Sequence, residues 1–157
     1  MRRAALPGLT AGCGARNGIP CSGKAMRSDF NDFKNLLRSL RPDAADLPNG
    51  AVSIALGASS LSFFQAPDDA DCLFVRTRVV SLSEITRAGE FARAALAGNF
   101  FWHATRGARL SIGPDRAVYL TERRLIDGLA DPRALAEVIE NFQLTVTDWQ
   151  IRSSLYA

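Results

Sequence analysis

Residues Glu90–Ile112 read EFARAALAGNFFWHATRGARLSI, a short amphipathic helix that runs through an aromatic cluster directly into a strand. Phe91, Ala94, Ala95, Gly98 and Phe101 recur at three- and four-residue spacing and so share one helical face. The small residues on that face, Ala94, Ala95 and Gly98, let another helix approach closely. The consecutive aromatics Phe100, Phe101 and Trp102 cannot all enter one small core, because successive helical side chains fan out by roughly 100°. At least one of them is expected to be covered by a second subunit. The expected dimer contact is Phe91, Ala94, Ala95, Gly98, Phe101 and Trp102. The competing reading is a helix buried on most sides by its own chain.

Upstream, Ser28 or Asp29 can cap a first helix whose apolar stripe is Phe30, Phe33, Leu36, Leu37 and Leu40. It stops at Arg41-Pro42, because a residue before proline avoids helical geometry. A turn-rich loop, Asp43–Gly50, leads to a strand in which Val52, Ile54 and Leu56 alternate with small residues. Leu61–Gln65 is a second strand. A third carries Leu73, Val75, Thr77 and Val79 on one face and Arg76 and Arg78 on the other. Ser81-Leu-Ser-Glu84 offers a capping box for the approach to the central helix.

Downstream, Arg109–Ile112 and Ala117–Arg124 are short strands joined by the turn Gly113-Pro114-Asp115-Arg116. Asp131-Pro132 starts a helix, with the cap first and proline at the first helical position. Leu135, Val138, Ile139, Phe142, Val146 and Trp149 keep the helical period over about four turns. The order α-β-β-β-α-β-β-α predicts an α+β fold, a twisted antiparallel sheet with packed helices.

The net charge of +3 is unevenly spread. Residues 1–25 hold Arg2, Arg3, Arg16 and Lys24 and no acid, whereas residues 26–157 sum to −1. That split removes the case for nucleic-acid binding, which needs Lys and Arg clustered on a folded face. The leader has five glycines, two prolines and no periodicity, and the composition changes at Met26. Residues 1–26 are expected to be a disordered tail, or to precede a true start at Met26. Residues 27–157 then form a single domain. The leader's apolar stretch is too short and broken for a signal peptide, and no run approaches the roughly 18–20 residues of a membrane helix.

Catalytic and metal chemistry find little footing. Cys13, Cys21 and Cys72 are odd in number with no C-x-x-C pair, so neither a disulfide framework nor zinc is indicated. The single histidine, His103, reads as a helix-end residue near the last carbonyls. Phosphate-cradling, nucleophile-elbow and dinucleotide motifs are missing from the sequence. Asp68-Asp69-Ala70-Asp71 has no EF-hand spacing and reads as a solvated acidic turn. No cofactor is expected.

Leu96-Ala-Gly-Asn99-Phe100-Phe101-Trp102, followed by Gly107-Ala-Arg-Leu110-Ser-Ile112, resembles the helix-to-strand junction of the class I type III secretion chaperones, the Tir-chaperone family. The likeness continues through the hairpin Arg109–Leu125 and into a C-terminal helix with the late Trp149. It implies a homodimer in the bacterial cytoplasm, not an enzyme. Such a protein holds the N-terminal segment of a secreted effector extended for the export apparatus without ATP. A segment laid on apolar grooves gains area without a core of its own.

The corresponding helix of the family contributes to the effector groove. That and the width of the stripe point to Phe30, Phe33 and Leu37 as client contacts, with Leu36 and Leu40 more structural. Two readings compete. One is a ligand-binding module whose pocket is lined by Phe63, Phe64, Phe100 and Trp102; the other is a small enzyme using His103.

Overall fold

Asp29 opens the fold by closing both halves of a capping box. Its carboxylate accepts from the backbone N–H of Asn31 and Asp32 at 2.8 and 2.9 Å, and the Asp32 carboxylate accepts from the N–H of Asp29. The computed structural model describes residues 28–157. The leader, Cys13, Cys21 and the Met26 boundary lie outside the described residues. Helix α1 spans Phe30–Leu40 and ends at Arg41, before Pro42.

The strands are β1 Ala45–Asp46, β2 Val52–Leu56, β3 Ser59–Ala66, β4 Asp69–Ser81, β5 Arg109–Ile112 and β6 Ala117–Leu125. Helix α2 is Ala88–Phe100 and α3 is Pro132–Ser154. All strand pairs are antiparallel, in the spatial order β1-β2-β3-β4-β6-β5. The expected α+β class and antiparallel sheet are what the chain adopts.

Register explains the core. Ile54 lies opposite Leu61, Leu61 opposite Thr77, Thr77 opposite Leu120 and Leu120 opposite Leu110. This row, with Val52, Phe63 and Val75 beside it, is buried. The three helices cover that face. Phe33 and Leu37 come from α1, Phe91 and Ala95 from α2, and Leu135, Phe142 and Trp149 from α3. The alternating residues of the same strands form a second face that no helix among the described residues covers.

Several details depart from expectation. The loop after α1 contains a two-residue strand, β1, and β4 runs for 13 residues from Asp69, so the acidic stretch belongs largely to a strand. Ser81 caps a one-turn 3-10 helix, Leu82–Glu84, instead of α2, because buried Ile85 turns the chain inward. Helix α2 begins at Ala88 without a side-chain cap. The Arg87 N–H bonds to Tyr156 O at 3.0 Å, tying that end to the C-terminus instead. Helix α3, capped by Asp131 as expected, is 23 residues long, about two turns more than the periodicity indicated.

Candidate partner-binding surfaces

The face of α2 expected to meet a second subunit meets α3 of the same chain. A Cβ placed on Gly98 would sit 2.4 Å from Cζ2 of Trp149, so only glycine admits the indole there. Trp149 Nε1 donates to the carbonyl of Ala104 at 3.0 Å. Phe91 meets Trp149 and Tyr156 edge-on, with ring centroids 6.1 and 5.6 Å apart. Phe91, Ala95 and Gly98 are therefore core residues, a correction to the expected dimer contact; Ala94 is half-buried. A small-residue face shows that something large approaches, not which chain supplies it.

The aromatic cluster behaves differently. Phe100 is 81% exposed, Trp102 74%, Leu96 67% and Phe101 55%. Phe100 and Phe101 contact each other edge-on at 5.1 Å. The short helix Trp102–Ala104 and the turn after it hold this end of α2 in place. Arg106 sits at φ 50°, a left-handed conformation that costs a non-glycine residue energy. Its guanidinium anchors the turn to α3 by donating to Thr145 Oγ1 at 2.9 Å and to Asp148 at 3.0 Å.

One backbone position on the β5 edge and one on β2 are bonded by side chains. On the free edge of β5, Asn99 Nδ2 donates to Leu110 O at 2.9 Å and Asn99 Oδ1 accepts from Leu110 N at 2.7 Å. On β2, beyond the end of β1, Arg41 donates to Ala55 O at 2.8 Å and Asp43 accepts from Ala55 N at 2.7 Å. Arg41 and Asp43 also pair at 2.8 Å, and the Arg41 guanidinium with the Ala55 N–H holds the Asp43 carboxyl down at about 2. These side chains supply what a neighbouring strand would supply.

On α1, Phe33 and Leu37 are buried, Phe33 packing on Phe63 with centroids 5.2 Å apart. The partly exposed residues are Phe30, Leu36 and Leu40. Except at Phe30, this reverses the division expected from the stripe: sheet contact selects Phe33 and Leu37, and periodicity alone does not say where a stripe is centred. Phe30 stacks on Phe33 at 5.8 Å and lies under Lys34. Beside it, Ser28, Asp32, Leu36, Ile126 and Ala130 border a cleft of about 120 Å³.

The aromatic-pocket reading fails on placement. Phe63 is in the core, Phe64 is on the opposite face of the sheet, and Phe100 and Trp102 project from the end of α2. His103 is exposed against Phe101, and its side chain has no hydrogen bond or ion pair among the described residues. Asp68 and Asp69 pair with Arg123 at 3.5 and 3.0 Å, and no metal-ligand cluster occurs among the described residues. No helix among them is long and apolar enough to cross a membrane.

This arrangement has a family. Residues 34–150 match the model of the Tir chaperone protein (CesT) family. The chain belongs to the Tir chaperone family. That family comprises type III secretion chaperones, as the Asn99–Trp102 junction implied.

Two solved structures share the fold. One is the crystal structure of the ExsC–ExsE complex, with a TM-score of 0.66 and 16% identity over 80% of this chain and 97% of that one. The other is the Yersinia pestis type III secretion chaperone SycH with a stable fragment of YscM2, with a TM-score of 0.52 and 13% identity over 73% of this chain and 97% of that one. No curated protein matches the chain by sequence.

Proposed function

We propose that this Tir-family chain is a homodimeric, ATP-independent chaperone of the bacterial cytoplasm. It binds the N-terminal segment of a secreted effector, keeps it export-competent and helps deliver it to a type III secretion apparatus. It is a binding protein, not an enzyme. The observation that carries the reading is the family match together with apolar side chains left outside a complete core. Leu96, Phe100, Phe101 and Trp102 are the dimer contact in this proposal. Two copies of that cluster bring on the order of 1,000 Å² into contact, the lower bound for a specific interface.

The client lies along α1 over Phe30, Leu36 and Leu40, with Phe33 and Leu37 as the floor beneath. An extended segment with apolar anchors suits this narrow cleft. Because Leu110 and Ala55 are already bonded by side chains, the client engages side-chain surfaces there and does not add as a strand.

The test is deletion of the gene in its own bacterium. The expected result is loss of one protein from the type III secretome, with depletion of its cytoplasmic pool and restoration by the full chain. Unchanged secretion of every type III substrate contradicts the proposal.

A further inference from the structure

The sheet face turned away from the helices carries a different chemistry. Its central row is Arg109 on β5, Thr121 on β6, Arg76 on β4 and Ser62 on β3, paired in that order. Phe64 and Phe74 stack beside this row at 5.5 Å. The Arg76 guanidinium lies 5.0 Å from the ring centroids of both Phe64 and Tyr119. Two adjoining concavities of about 510 and 570 Å³ share Phe74, Ser111 and Thr121, and together make one trough across β4, β6 and β5.

The charges in the trough are unequally satisfied. Asp115 accepts from the Tyr119 hydroxyl at 2.7 Å, which holds its carboxyl below the usual range. Glu122 pairs with Arg124 at 2.8 Å, and Arg123 with Asp68 and Asp69. Arg76 and Arg109 have no carboxylate and no hydrogen-bond acceptor among the described residues. Two rings fix the position of the Arg76 guanidinium while its donor fork stays unused, a preformed receptor for a carboxylate.

We infer that this trough is a docking face for an extended acidic segment of a partner protein, with Arg76 and Arg109 each receiving one carboxylate. The two arginines are two strands apart, roughly 10 Å. An acid-x-x-acid segment in polyproline-like form places its carboxylates about 9 Å apart on one side. Intervening apolar residues meet Phe74, Tyr119 and Phe64. Nucleic acid fits less well, because residues 28–157 carry fourteen Lys and Arg against sixteen Asp and Glu, a balance that repels a polyanion. A segment with two or three carboxylates meets the two unpaired arginines, the trough's own Asp115 and Glu122 being tied to Tyr119 and Arg124. The site is separate from α1 and does not depend on the client assignment made there.

The probe is a fluorescein-labelled peptide of about a dozen residues with Asp at every third position and Pro and Leu between. Anisotropy titration of the full chain reads its binding, with Asn-for-Asp and Lys-for-Asp peptides and an oligothymidine as comparisons. The expected result is saturable binding of the Asp peptide that weakens as salt rises from about 50 to about 300 mM. The Asn peptide, and the double variant Arg76→Gln/Arg109→Gln, each bind about tenfold more weakly. Leu36→Ser binds the Asp peptide as the parent does. Circular dichroism and thermal melting check that the variants are folded, and Arg76→Lys with Arg109→Lys gives an intermediate affinity. Equal binding of the Asp and Lys peptides, tighter binding of oligothymidine, or an altered oligomeric state in the glutamine variant overturns the inference.

Discussion

Asn99 and Leu110 form a two-bond bridge between the last turn of α2 and the free edge of β5, at 2.9 and 2.7 Å. The side-chain amide does the work of an absent strand, and it also fixes where the exposed aromatics stand relative to the sheet. Asn99→Ala leaves both backbone groups of Leu110 without their partner, at a cost of about 1–3 kcal/mol. Urea denaturation should show a lower midpoint with little change in slope. Asn99→Asp keeps the acceptor and loses the donor, so it should fall between the two.

Gly98→Ala tests the packing of α2 on α3. The added methyl collides with the Trp149 ring at 2.4 Å, and forcing the indole outward also stretches its bond to Ala104. Overpacking of this kind costs about 1–3 kcal/mol or more. Gly128→Ala, where the new methyl meets nothing within 4 Å, is the control and should melt within about 1 °C of the parent. Equal melting of the two variants contradicts the contact.

The oligomeric state is tested from outside the core. Leu96→Arg or Phe100→Arg changes residues that are 67% and 81% exposed. In the proposed dimer they place a charge in an apolar contact, so light scattering should show a monomer with an unchanged secondary-structure spectrum. Ala95→Arg is a different experiment, since Ala95 is buried in the chain's own core, and it should unfold the protein. A parent chain that is monomeric at high micromolar concentration removes the dimer from the account.

Asp43 gives a pH signature. Its carboxyl is lowered from the ordinary value of 3.8 to about 2 by Arg41 and the Ala55 N–H. A depressed folded-state value stabilises the protein above the unfolded value, and that contribution is lost as pH falls from about 4 through about 2. Asp43→Asn should therefore melt lower than the parent at neutral pH, with the gap closing toward pH 2. A gap that is constant with pH rules out the ionic part of this clamp.

Along α1, Phe33→Ser or Leu37→Ser should unfold the domain, because each removes a buried side chain worth about 2–5 kcal/mol. Leu36→Ser and Phe30→Ser should melt near the parent and weaken client retention. Client binding unaffected by both exposed-residue variants moves the groove elsewhere.

The element order was legible from periodicity and punctuation. Asp29, Pro42, Asp131 and the Gly113–Arg116 turn all act where their chemistry predicts. The placement of faces was less legible. Small residues at Ala95 and Gly98 announce close approach, yet the approaching residue, Trp149, stands about fifty positions away. The excess of aromatics at Phe100–Trp102 was readable, because three neighbouring rings cannot share one direction. Arg76 and Arg78 were readable as an outward strand face. The partners of Arg76, Phe64 and Tyr119, come from two other strands, and strand pairing cannot be read from one strand's alternation.

The central claim is that the chain holds one secreted partner by its N-terminal segment. The direct measurement is co-expression of the chain with the first hundred or so residues of the protein whose secretion fails in the deletion strain, a span typical of a small domain. Size-exclusion chromatography with light scattering and hydrogen exchange follow. The account predicts a stable complex of two chains with one segment, in which the segment's amides are protected only where it meets the chaperone and exchange fast elsewhere. A segment that elutes alone, or that folds into its own protected core without the chain, contradicts it.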